Sequence, residues 1–178
     1  MKKNYLFISL LLLLFSTSSL AQLAESLKAQ LVKDWTRAKA YTQEYLDVMP
    51  ADKYGFRAQD SIRTFSEQML HLTAGTIGLV SNGTGKDRIF PGYNLEKSTT
   101  AQTKDSVVYY VNAAYDFAID GIKNLDASKF EEKVKRGNFD ETRLAWIMKG
   151  FEHQTHHRGQ VTIYIRLLGI KPPNEKLF

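Results

Sequence analysis

Four stretches of this 178-residue chain repeat their apolar residues at steps of three and four, the period of an amphipathic helix. From Leu23 to Val48 the stripe is Leu23, Leu27, Leu31, Trp35, Ala38, Tyr41 and Tyr45, and Pro50 ends it. A second helix is expected near Asp60 or Ser61, either of which can cap a first turn. Its inward stripe is Ile62, Phe65, Met69, Leu72 and Ile77, with His71 beside it. The third runs from about Thr100 to Leu125 on Val107, Val111, Ala114, Ala118, Ile122 and Leu125. The fourth begins near Asp140, carries Leu144, Ile147, Phe151, Ile163 and Leu167, and stops at Gly169 before Pro172-Pro173. The only β-rich run, Val107 to Val111, sits inside a helical period. Four long helices and no sheet predict an all-α fold, a four-helix bundle.

The bundle excludes the first residues. Lys2 and Lys3 precede an apolar run from Tyr5 to Phe15, and small residues follow to Ala21. That is the pattern of a secretory signal peptide, too short to span a bilayer. The expectation is a cleaved leader over 1–21 and one domain over 22–178, exported to a periplasm or outside the cell, with no membrane anchor left after cleavage.

Loss of the leader's two lysines takes the formal charge from +5 to +3, and the remaining Lys and Arg are scattered. A nucleic-acid binder gathers them into a patch, so nucleic acid is not an expected partner. With no cysteine, the chain can form no disulfide, thiolate zinc site or iron–sulfur cluster. The loop from Ser81 to Ser98 is long for a bundle connection. Its Gly83-Thr84-Gly85-Lys86 fails as a phosphate loop, because Asp87 stands where Ser or Thr is needed and a helix precedes it. A crossover folding over one end of the bundle is expected instead.

All four histidines fall in two places, His71 and the cluster His153, His156, His157. Residues four apart on a helix differ by about 40° around its axis, so His153 and His157 can face one ion. His156 stands about 100° round from His157 and is poorly placed to chelate with it. His71 lies where a bundle can bring it opposite that face, and bundle metal sites are built from inward side chains on facing helices. Three neutral imidazoles leave open positions, the arrangement of a catalytic rather than a closed structural site.

The segment Glu152-His153-Gln154-Thr155-His156-His157-Arg158-Gly159-Gln160, followed by Tyr164-Ile165-Arg166-Leu167-Leu168-Gly169, resembles the closing helix of the DinB/YfiT-like family. Glu67-Gln68-Met69-Leu70-His71-Leu72 is similar to that family's second helix, which supplies a single histidine. The resemblance spans the whole chain after the leader. It implies a four-helix bundle, often a homodimer, with a divalent metal on His71, His153 and His157. It also implies thiol transfer or metal-dependent hydrolysis of a small-molecule substrate. Export departs from the thiol-transferring relatives, which use cytoplasmic thiols.

Imidazole ligands suit zinc, nickel, copper or iron, and of these zinc or nickel is expected. A metal so held lowers the pKa of water to about 7 or stabilises a thiolate, so hydrolase and transferase chemistry both stay open. Glu67, one turn before His71, is a candidate general base or partner of a metal-bound histidine. Gln160, three residues after His157, is a candidate contact to the reacting water or an interhelical hydrogen bond. A non-catalytic bundle holding a metal or small ligand is the alternative function, and a structural dimer with residual histidines a third.

Overall fold

The computed structural model describes the backbone from Lys2 and side chains from Leu20 to Phe178. The leader expected over 1–21 therefore falls, but for its last two residues, outside the described side chains. Four helices carry the fold: α1 (Lys2–Val48), α2 (Phe65–Thr84), α3 (Lys104–Asn124) and α4 (Arg143–Leu167). Helices α1 and α2 each pack against both α3 and α4, so these two consecutive helices stand diagonally across the bundle. Among the described residues no helix is long and apolar enough to cross a membrane.

The helix periods place most of the core. Trp35, Ala38, Tyr41 and Tyr45 of α1 are buried, as are Met69, Leu72 and Ile77 of α2 and the whole α3 stripe from Val107 to Ile122. Trp35 sits edge-on to Tyr115 at 5.9 Å and to Phe151 at 5.4 Å, joining α1, α3 and α4. Aromatic pairs in this geometry add to the area they bury.

Three sequence expectations need correction. First, α2 starts at Phe65, capped by Thr64 rather than by Asp60 or Ser61. Thr64 and Glu67 form a reciprocal capping box, which satisfies two free backbone N–H groups, whereas Ile62 lies before the helix and is exposed. Second, a sheet exists: β1 (Lys133–Arg136) pairs antiparallel with β2 (Phe139–Thr142), turning at Gly137 with φ +56°. Residues 140–142 are therefore strand, and Thr142 caps α4. The indole N–H of Trp146 donates to the Val134 carbonyl at 3.0 Å and ties the hairpin to α4. Third, Leu23 of the α1 stripe and Ile163 and Leu167 of the α4 stripe are exposed; on α4, Val161, Tyr164 and Ile165 take the inward face of that turn.

The Gly83–Lys86 segment is the end of α2, where Gly85 takes the left-handed φ of +77° that terminates the helix. Lys86 there forms an ion pair with Asp120 on α3.

Helices α2 and α4 meet along glycines. A Cβ at Gly83 would lie 2.7 Å from the Arg143 carbonyl oxygen and 2.7 Å from Ile147 Cγ1. A Cβ at Gly150 would lie 3.0 Å from Val80 Cγ2. The Arg143 carbonyl is backbone and cannot yield without moving its helix. Gly83→Ala should therefore force α2 and α4 apart and destabilise the fold by about 1–3 kcal/mol. Urea unfolding checks this; an unchanged midpoint refutes the close approach.

Candidate metal centre

The helix contact that Gly83 and Gly150 permit continues toward the other end of α4, where it brings the histidines together. His71 projects from α2, and His153 and His157 from successive turns of α4. Each offers a ring nitrogen, and the three nitrogens lie within 4.8 Å of one another. Ring centroids are 5.3 Å apart for His71–His153, 4.6 Å for His71–His157 and 4.4 Å for His153–His157. His156 stays outside the trio and is exposed, with its ring 4.8 Å from that of His157.

Gly75, one turn after His71, makes room for His153. A Cβ there would fall 2.1 Å from Cε1 and 2.5 Å from Nε2 of that ring, so any other residue would occupy its space. The buried Nδ1 of His153 has no hydrogen-bond partner among the described residues. An orphaned ring nitrogen beside two further imidazoles fits a cation better than a packing role, since a buried polar atom without a partner costs about 1–3 kcal/mol.

The other two rings are oriented through Nδ1. His71 Nδ1 lies 2.7 Å from Glu96 Oε1, and Arg63 Nε donates to Glu96 Oε2 at 2.8 Å. His157 Nδ1 lies 2.9 Å from Gln160 Oε1, which also accepts from the Gln68 amide of α2; that amide nitrogen is 2.8 Å from the same Nδ1. A proton on Nδ1 of each ring leaves Nε2 as the free donor, the usual arrangement in which a metal-binding histidine gives its second N–H to a carboxylate or amide oxygen.

Charge favours neutral rings. Burial first, then the neighbouring His71 and His156, pushes His153 down to about 4 from an ordinary 6.5. Burial, then His153 and His71, does the same to His157, to about 4, against the opposing effect of its hydrogen bond to Gln160 Oε1. For Glu96, burial works to raise the carboxyl, but hydrogen bonds from Arg63 and His71 outweigh it and hold it below the usual carboxylate range. The site thus offers two imidazoles held unprotonated, with His71 beside them backed by one ionised carboxylate.

The residues singled out in the sequence sort themselves plainly. His71, His153 and His157 converge. Gln160 makes the interhelical bond to Gln68 and holds His157. The Glu67 carboxylate is engaged elsewhere, accepting from the Thr64 backbone N–H at 2.7 Å and pairing with Arg57 at 3.2 Å. The carboxylate on His71 is Glu96, which sequence reasoning missed. It arrives from the long α2–α3 connection on a 3-10 turn (Leu95–Lys97) whose Leu95 is buried. The length of that loop was the only signal of it. Gln68, also missed, carries no motif beyond lying one turn before His71.

His157, Glu96, Gln68 and Gln160 form one wall of a solvent-open cleft of ≈ 960 Å³. That is roomy enough for a small molecule, for which pockets run about 300–1,000 Å³.

The DinB family model matches residues 22–177. Two solved structures share the fold. A DinB-like protein from Bacillus cereus is 18% identical with a TM-score of 0.70, covering 82% of this chain and 95% of that one. A DinB-like protein from Bacillus subtilis is 14% identical with a TM-score of 0.65, covering 82% and 96%. No curated protein matches the sequence.

Two predictions follow from the geometry. Gly75→Ala should keep α2, because alanine favours a helix over glycine by about 1 kcal/mol, yet displace His153. Zinc affinity, read by competition with a chromophoric chelator, should fall about 10-fold or more; unchanged affinity would contradict the cradle. The second concerns pH. With folded values near 4, His153 and His157 bind fewer protons than the unfolded chain between about pH 4 and 6.5. Stability of chelator-treated protein should fall as pH drops through that window. The double variant His153→Asn, His157→Asn should lose less stability over it in urea titrations.

Proposed function

This chain belongs to the DinB family, and from that footing we propose that it is a metal-dependent enzyme, of hydrolase or thiol S-transferase type, acting on a small molecule. The observation that carries the reading is the convergence of three ring nitrogens within 4.8 Å, one of them on His157, which lines an open cleft. In this reading His71, His153 and His157 hold a divalent cation, zinc or nickel. Bound there, the cation supplies Lewis acidity that activates water or a thiol near neutral pH.

The chain's own groups do the rest. Glu96 and Gln160 hold the rings of His71 and His157 in the tautomer that leaves Nε2 free. Low imidazole pKa values keep His153 and His157 unprotonated, without competition from protons at neutral pH. Gln160 and Glu67 also line the cleft. Gln160 acts there as a positioning residue, and Glu67, held by Thr64 and Arg57, acts in the rim and not as a free base. We read the protein further as exported, on the leader-like residues 1–21, and as a homodimer, as the family resemblance implies.

Elemental analysis of protein purified from its native compartment should find about one zinc or nickel per chain. His153→Ala should abolish it with helical circular dichroism retained. A screen of esters and amides against thiol-plus-electrophile pairs then separates the two chemistries. A wild-type chain without metal overturns the proposal, and metal without turnover leaves a binding protein in its place.

A further inference from the structure

Two large apolar residues that the helix period assigns to the core, Ile62 and Ile163, are instead exposed by 39% and 55%. Both line the same cleft as His157 and Tyr164. Exposed apolar groups scattered singly mean little, but these share one concavity next to a polar cluster.

The cleft's charge is just as uneven. Arg57, Arg63 and Lys97 line it against two carboxylates, Glu67 and Glu96. Both carboxylates are already engaged: Glu67 by the Thr64 N–H and Arg57, Glu96 by Arg63 and His71. The cations are not used up. Arg63 gives only Nε to Glu96, and its two terminal nitrogens make no hydrogen bond among the described residues. Lys97 forms no ion pair among those residues. The Tyr164 hydroxyl donates to the Arg63 carbonyl at 2.7 Å, so the chain that presents this guanidinium is anchored to α4. An open guanidinium edge is shaped to take a carboxylate or phosphate through two parallel N–H bonds.

We infer that the cleft binds a small amphipathic anion, its carboxylate or phosphate head on Arg63 and Lys97 and its apolar body against Ile62, Ile163 and Tyr164. As a substrate site this rests on the metal-enzyme reading above. As a binding site it rests on side chains of the cleft alone. A divalent cation on the three imidazoles would add to the positive field and place the reacting centre beside the bound anion.

The test uses the zinc-loaded full chain and four probes of one length: hexanoate, hexyl phosphate, hexanamide and hexylammonium, with binding followed by calorimetry. One or both anions should bind at least about tenfold more tightly than the amide, and hexylammonium should not bind. Whichever anion binds more tightly identifies the head group. Lys97→Gln and Arg63→Gln should each weaken the anion by about fivefold or more, and Ile163→Ser should weaken anion and amide together, with zinc content measured for each variant. Equal binding of anion and amide overturns the inference, as does anion binding that ignores Lys97 and Arg63 and follows only the zinc. A change of oligomeric state on Ile163→Ser shows a second copy covering the apolar wall and also overturns it. Chelator-treated protein should still prefer the tighter-binding anion to hexanamide, so a wild-type chain lacking metal sinks the enzyme reading and not this one.

Discussion

The close approach of α2 to α4 decides what this molecule can do. Down that seam the contacts step by one helical turn: Gly83 against Arg143 and Ile147, Val80 against Gly150, Gly75 against His153, and Gln68 against His157 and Gln160. Glycines occupy the tightest points because a side chain would hold the axes apart. His71 lies on α2 between Gln68 and Gly75, and its ring meets His153 and His157 there. A metal site needs nitrogen donors placed to a few tenths of an ångström, and only rigid, closely packed elements deliver that. The seam therefore supports the fold and aligns the donors with the same contacts.

The opposite side of α4 is held by a polar network, which is unusual for a bundle core. Tyr115 of α3 donates to Gln154 at 2.8 Å and shares a 2.7 Å hydrogen bond with Thr42 of α1. Arg158, buried one turn on, donates to Gln154 at 3.0 Å and stacks over the Tyr41 ring at 4.5 Å. Such a network has one low-energy arrangement, so it fixes the rotation of α4 about its axis. Gln154 and Arg158 each directly follow a site histidine, His153 and His157. Locking the first pair toward α1 and α3 points the second pair toward α2.

How much of this was legible differs between elements. The α3 stripe and the α1 stripe from Trp35 to Tyr45 read through because their inward faces are mostly apolar, although Leu23 at the head of the α1 stripe is exposed and Thr42 is buried among the apolar residues. The period failed on α4, whose buried face carries Gln154, His157 and Arg158 in place of aliphatics; the outward Ile163 and Leu167 then looked like core. The α2 start was misread although Thr64-Phe65-Ser66-Glu67 is a capping box in plain sight, because Asp60 and Ser61 offered earlier caps. The hairpin was missed because four-residue strands of mostly charged residues carry no apolar alternation. Among the site residues, the histidines stood out by their rarity and spacing, whereas Glu96 could not, since no local pattern joins it to His71 twenty-five residues away.

The sequence by itself determined that the chain is helical, how most of the helices bury themselves, and that His153 and His157 can face one ion, because those properties depend on periodicity within single segments. Only the tertiary structure decided which carboxylate serves His71, that Glu67 is occupied at a helix end, and that two isoleucines face a cleft. Those outcomes depend on where a long connection lands and how one helix is turned against another. Both are set by non-local packing and by the space that three glycines leave open.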